Sequence, residues 1–173
     1  ASWTDAGQAS IMTRLDRILN FDLETGVLEV EAGICIGELA RIFAPQGWLP
    51  AVMPGTGFAT VGGAITMDVH GKNHHIMGSF GQHVLEITLR QNGATKTVKP
   101  STALFKATVG GLGQTGVIVS AKLQLLACRG DVMLVTERRM DNWEMFLEAL
   151  DTSDAPYTVG WIDATAKGAA LGS

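Results

Sequence analysis

The sequence predicts an α+β fold on three observations. Several runs alternate apolar and polar residues with the period of a strand. An Asn92-Gly93 pair stands between two of them, which is the signature of a tight hairpin. Helix-period stretches are interspersed without the regular strand–helix–strand rhythm of a wound parallel sheet.

The elements follow in order. Val27 to Ala32 sets Leu28, Val30 and Ala32 against Glu29 and Glu31, a half-buried strand. Ile36, Leu39, Ala40 and Phe43 recur at helical spacing, and Gly47 is placed to stop that helix. Pro50 to Met53 reads as a short strand, and Val61 to Met67 as a short helix. Val84 to Gln91 is a strand with Leu85, Ile87 and Leu89 on one face, returning through Asn92-Gly93 into Thr95 to Lys99. Leu104 to Val109 is a helix ended by Gly110-Gly111. Gly116 to Leu126 is a long strand, with Val117, Val119, Ala121, Leu123 and Leu125 on one side. Strands are expected at Val132 to Arg138 and Thr158 to Asp163, around a helix that Asp141 and Glu144 open as a capping box and that runs to Leu150.

Composition narrows the function. With 46% apolar and 17% charged residues among 173, the chain can bury a core. A formal charge of -4 and scattered tryptophans give no basic stripe and no stacking platform, so no nucleic-acid partner is expected. No apolar run is long enough to cross a membrane. Cys35 and Cys128 are far apart and read as two buried thiols. The 21 glycines point to tight turns or to backbone approaching a ligand.

Two glycine patterns carry different weight. Gly111-Leu112-Gly113-Gln114-Thr115-Gly116 spells a dinucleotide fingerprint, but a strand follows it where that motif requires a helix. The block from Pro54 to Gly63 has no Lys-Ser or Lys-Thr pair after its glycines, which excludes a P-loop. Its Gly55, Gly57, Gly62 and Gly63 leave amides open beside the start of the Val61 helix, an arrangement suited to an anionic or electron-rich group. Thr56 and Thr60 add hydroxyls. Downstream, His70, His74 and His75 fall close together, with Asp68 the one nearby carboxylate. His70 and His74 have the spacing of zinc-binding helices, but Gly71 and Asn73 make a helix poor there, and no metal is expected. Lys72, two residues after His70, brings a cation able to stabilise negative charge.

The runs Pro54-Gly55-Thr56, Thr60-Val61-Gly62-Gly63-Ala64-Ile65 and Asp68-Val69-His70-Gly71-Lys72-Asn73-His74-His75 resemble the FAD-linked oxidases of the vanillyl-alcohol-oxidase superfamily. Gly78-Ser79-Phe80-Gly81 and Ala107-Thr108-Val109-Gly110-Gly111 extend the likeness over most of residues 1–126. The resemblance implies a PCMH-type FAD-binding domain, a mixed sheet flanked by helices, at residues 1–130, and the start of a substrate domain at residues 131–173. It implies FAD contacts at Gly55, Thr56, Thr60, Val61, Gly62, Gly63, His70, Gly116 and Ile118. Substrate would meet His70, Gly71 and Lys72, with His70 and Lys72 in catalytic roles. Ser2-Trp3-Thr4-Asp5 is similar to the tail of the family's upstream pyrophosphate loop, so the chain is expected to be a fragment.

The implied activity is oxidation of a CH–OH group of a sugar or polyol by hydride transfer to the flavin. An alditol, lactone or hydroxy acid is the alternative substrate. A second alternative is that the fragment is a folding module without tightly held cofactor. The expected setting is cytoplasmic.

Overall fold

The computed structural model describes residues 11–163 and 165. The chain divides into two compact units, Ala1–Asp131 and Val132–Ser173. In the first unit six strands occur, β1 (Ile18–Asp22), β2 (Val27–Glu31), β3 (Trp48–Pro50), β4 (Val84–Gln91), β5 (Ala94–Val98) and β6 (Val117–Ala127). The helices are α1 (Ile36–Phe43), α2 (Val61–Thr66), α3 (His74–Met77) and α4 (Ala103–Thr108). The sheet order is β1-β2-β6-β4-β5, with β3 pairing the far end of β6. The expected α+β architecture is present, and its sheet is antiparallel in every described pairing.

Strand β6 is the spine. It pairs with β2 through residues 120–124, with β4 on its other edge, and with β3 through residues 125–127. Such a strand must be apolar along the face that meets the helices, and Ile118, Ala121, Leu123 and Leu125 are buried there. They join Leu28 and Val30 of β2, Ile87 and Leu89 of β4, Leu39 and Phe43 of α1, and Val61, Ala64 and Ile65 of α2 in one core.

The expected strand faces are corrected at two bulges. Pairing between β4 and β6 slips after Val84 and again after Thr88, so Leu85 and Val119 are extra residues. Leu85 is therefore 40% exposed while Ile87 and Leu89 are buried, and Val117 is exposed while Ile118 turns inward. The expected strand at Pro50 to Met53 lies earlier, at β3, where Trp48, Leu49 and Pro50 find partners on β6. Asn92 and Gly93 take φ values of 49° and 80°, the left-handed pair of a type I′ turn.

Strand β1 and helix α3 have no counterpart in the sequence reading. β1 is almost wholly exposed and so lacks a period-two signal; its mark is the Asp22–Gly26 turn, where Asp22 Oδ1 accepts from the amides of Glu24 and Thr25. The segment before β1 is fastened by the amides of Glu31 and Gly33, which donate to Arg17 O and Leu15 O, and by the Glu31 side chain. Glu31, 5% exposed, accepts from the Arg17 amide at 3.0 Å and from its guanidinium at 3.2 and 2.8 Å. The side-chain and backbone hydrogen bonds from Arg17 hold the Glu31 carboxyl below the usual carboxylate range. Cys35 and Cys128 are free and half-buried, not fully buried.

In the second unit, α5 (Trp143–Asp151) is capped by Asn142, whose Oδ1 accepts from the Met145 amide at 2.9 Å. The expected cap at Asp141 is thus one residue early. Neither Val132 to Arg138 nor Thr158 to Asp163 forms a strand. Val132 and Leu134 are at least 90% exposed. An apolar run becomes a strand only where a neighbouring edge accepts its hydrogen bonds, and none does among the described residues. Ser2-Trp3-Thr4-Asp5 lies outside the described residues.

Candidate functional site

The glycine block forms an exposed loop running into α2. Its two ends are tied to the α1 side: the Ile36 amide donates to Ala59 O, and the Gly37 amide donates to Gly57 O, both at 2.9 Å. This contact needs two glycines back to back, because a Cβ on Gly37 would stand 2.8 Å from Gly57 Cα. Within the loop the Phe58 amide donates to Thr56 Oγ1, and Cys35 Sγ lies 3.6 Å from Phe58 O. Gly55, Thr56, Gly57 and Phe58 are exposed, and Phe58 is 88% so.

The open amides are not where the sequence places them. At the start of α2 the Val61 amide donates to Ile34 O, Gly62 to Ala32 O and Ala64 to Thr60 O. Gly63 donates to the N-cap hydroxyl of Thr60 at 3.2 Å. The helix therefore has no spare donors, and the expected anion-binding helix start is corrected. The structural use of Gly62 is close packing, since a Cβ there would lie 3.1 Å from that of Ala32. Among the described residues, the amides of Gly55, Thr56 and Gly57 donate to no protein acceptor. Space on the Cβ side of Gly55 is open for 4 Å.

The second loop leaves α2 at Asp68 and returns at Gly81. Residues 69–70 pair with 79–80: Phe80 donates to Val69 O at 2.8 Å, and His70 bridges Ser79. Asp68 closes this neck, accepting from Ser79 Oγ at 2.9 Å and from the Gly81 amide at 2.8 Å. Between the two strands of the neck, the loop is pinned to the segment that leads into the glycine block. Gly71 is buried against Met53, whose carbonyl oxygen would stand 2.6 Å from any Cβ. Asn73, 1% exposed, donates its Nδ2 to Ala51 O at 2.8 Å.

Above this floor His70, Lys72, His74 and His75 are all exposed. The His70 and His74 rings meet edge to face with centroids 5.4 Å apart. His74 Nδ1 lies 3.2 Å from Gly71 O; a carbonyl only accepts, so Nδ1 is the donor in this contact. His70 precedes α3 and shares no helix with His74, so the i,i+4 ligand geometry is not realised. No group of three metal-ligating side chains occurs among the described residues.

The structure packs Gly71 against Met53, two positions before Gly55, with His70 and Lys72 exposed on either side of Gly71. Val61 and Ile118 are core residues, leaving only their main chain to a ligand. Gly116 begins β6 at φ +141°, where a Cβ would stand 2.7 Å from Arg90 O, so sheet packing already requires glycine there. Leu112, Gly113 and Gly116 close turns that open a strand, and no helix follows them. Asp68 and Asn73, which hold the second loop, are the residues whose role sequence reasoning missed; the left-handed φ of 43° at Asp68 is invisible in a linear pattern.

The α+β domain thus carries unpaired amides on an exposed glycine loop and an exposed His70–Lys72 loop tied to the segment before it. The chain belongs to the FAD binding domain family, which matches residues 4–98. It is 38% identical to decaprenylphosphoryl-beta-D-ribose oxidase of Mycolicibacterium smegmatis, over 93% of this chain and 36% of that protein. It is 28% identical to D-lactate dehydrogenase of Anaerostipes hadrus, over 66% of this chain and 26% of the relative. A solved alkyldihydroxyacetonephosphate synthase superposes with a TM-score of 0.60 at 20% identity, covering 67% of this chain and 21% of the other, which shows the shared fold. The chain spans little more than a third of the ribose oxidase. It is an FAD-binding domain, and FAD is its cofactor. The exposed glycine loop, with unclaimed amides and open space at Gly55, fits that group. None of the described helices is long and apolar enough to cross a membrane.

Proposed function

We propose that this chain is the FAD-binding part of an oxidoreductase that oxidises a CH–OH carbon of a sugar or polyol. One observation carries the reading: the His70–Lys72 loop is fixed to the entry of the glycine loop through Met53 and Ala51. Cofactor and substrate would then meet at one corner. Bound FAD supplies the two-electron acceptor. Gly55 and Thr56 would hold it by main chain and hydroxyl, with Thr60, Val61, Gly62, Gly63, Gly116 and Ile118 shaping the seat behind. His70 would hydrogen-bond the substrate hydroxyl and orient it. Lys72 would stabilise negative charge as the hydroxyl proton leaves, and Gly71 would keep the wall between them flat. Fixed donors aimed at developing charge are worth several kcal/mol in such sites, of the order of 10²–10³ in rate per donor.

The likeness to a ribose oxidase supports a sugar-type substrate. The likeness to a D-lactate dehydrogenase favours a hydroxy acid as the second reading. Residues 1–130 would form the FAD domain, and residues 131–173 the beginning of a substrate domain. The test uses the full-length protein. Anaerobic bleaching of the flavin by sugars and polyols, and not by 2-hydroxy acids, is expected; the reverse order of rates would overturn the substrate class. His70→Ala is expected to lower turnover at least tenfold or to reduce flavin content. Unchanged kinetics and unchanged flavin would remove His70 from the site. For the chain alone, an absorption spectrum separates a flavin-binding domain from a colourless folding module.

A further inference from the structure

We propose that Asp68 is a positioning residue, which sets His70 and Lys72 against the cofactor loop by closing the neck of the loop that carries them. The inference rests on the site reading above but concerns a residue outside it. Asp68 follows α2 directly, and its own amide donates to Ile65 O at 3.1 Å while Val69 donates to Ala64 O at 3.1 Å. The backbone at Asp68 is therefore fixed by the helix end. Its carboxylate then reaches across the neck. One oxygen takes the Ser79 hydroxyl and the other the Gly81 amide. No other side chain makes a hydrogen bond across this neck among the described residues.

Two features show that this geometry is held against cost. Asp68 keeps φ at 43°, a left-handed conformation that a non-glycine residue adopts only when its surroundings over-determine it. Gly81 has no room for a side chain, since a Cβ would lie 2.9 Å from Asp68 Oδ1 and 2.3 Å from Val109 Cγ1. Each carboxylate oxygen thus accepts one hydrogen bond from the neck. Beyond the neck, Asn73 and Gly71 fix the floor of the loop. His70 stands at the neck itself, bridged to Ser79, so release of Ser79 moves His70 before any other residue of the corner. Displacement of an orienting group by about 1 Å can cost about 10²-fold in rate.

The test compares Asp68→Asn, Asp68→Ala, Asp68→Gly and Ser79→Ala in the full-length flavoprotein, with His70→Ala alongside. Asparagine retains an acceptor for Gly81 and a polar partner for Ser79, so Asp68→Asn should hold kcat within about threefold. Asp68→Ala and Asp68→Gly should lower kcat by about ten- to a hundredfold with flavin content retained. Glycine removes the left-handed strain, so a loss shared by both variants belongs to the carboxylate. Ser79→Ala, the mildest cut, should fall between and remains informative if Asp68→Ala does not fold. Amide hydrogen exchange should quicken in residues 69–80 of Asp68→Gly and stay unchanged in β4 and β6. Wild-type kcat in Asp68→Gly and Ser79→Ala, or unaltered exchange at residues 69–80, would overturn the inference. A loss of kcat in His70→Ala without one in Asp68→Gly would sink the positioning role and leave the site standing. Full activity in His70→Ala would instead remove the site reading itself.

Discussion

At the residue scale, several side chains of this domain are absent for a reason that packing supplies. Gly71 is buried with Met53 O where its Cβ would be. Gly71→Ala should therefore push the His70–Lys72 loop off its floor and destabilise the fold by about 1–3 kcal/mol, the usual cost of overpacking. Chemical denaturation of the two proteins checks this, and an unchanged midpoint would contradict it. Thr60 serves α2 as N-cap, accepting from Gly63 at 3.2 Å. Thr60→Ala should cost about 1 kcal/mol, and Thr60→Ser little, because a cap needs the hydroxyl and not the methyl. Gly62, expected from the sequence to contact the cofactor, is required by its packing on Ala32, and a list of residues does not reveal that packing. Gly55, like Gly130, has neither a packing contact nor a positive φ to require glycine.

At the scale of elements, the sheet depends on β6 and on what is fastened to its edges. Leu123 is 3% exposed and faces partners from both neighbouring strands. Leu123→Ala should lose about 2–5 kcal/mol, more than any surface change in β5. The Glu31–Arg17 clamp has a pH signature. A carboxyl held below its ordinary range stabilises the fold at pH above that range, and the contribution is lost as pH falls through it. Melting temperature should therefore drop between neutral and acid pH, and Glu31→Gln should lower the neutral value while shrinking the difference. An equal pH dependence in both proteins would show that the clamp contributes nothing. Elements with a buried stripe, such as α1, β4 and β6, are legible in the sequence because burial writes their period into it. The exposed β1 and the four-residue α3 carry no such imprint. The bulges at Leu85 and Val119 shift the phase within strands whose existence is plain, and only pairing with a neighbour reveals that shift.

For the whole molecule, the family matches residues 4–98, and the chain spans 36% of its ribose-oxidase relative. Val132 to Arg138 reads as a strand in the sequence, yet no described edge pairs with it, and Val132 and Leu134 are exposed. The sequence by itself determined the α+β class, the main helices and strands, the type I′ turn at Asn92-Gly93 and the residues that carry the FAD family's pattern. Each is a local matter of period, turn chemistry or residue order. Only the tertiary structure decided which amides remain open, that α2 has spent its own on Ile34 and Ala32, that Gly71 packs on Met53 and Asn73 bonds Ala51, and that Asp68 joins Ser79 and Gly81. Those outcomes depend on partners many residues away, and a hydrogen bond or a close contact leaves no trace in the order of the chain until folding brings its two halves together.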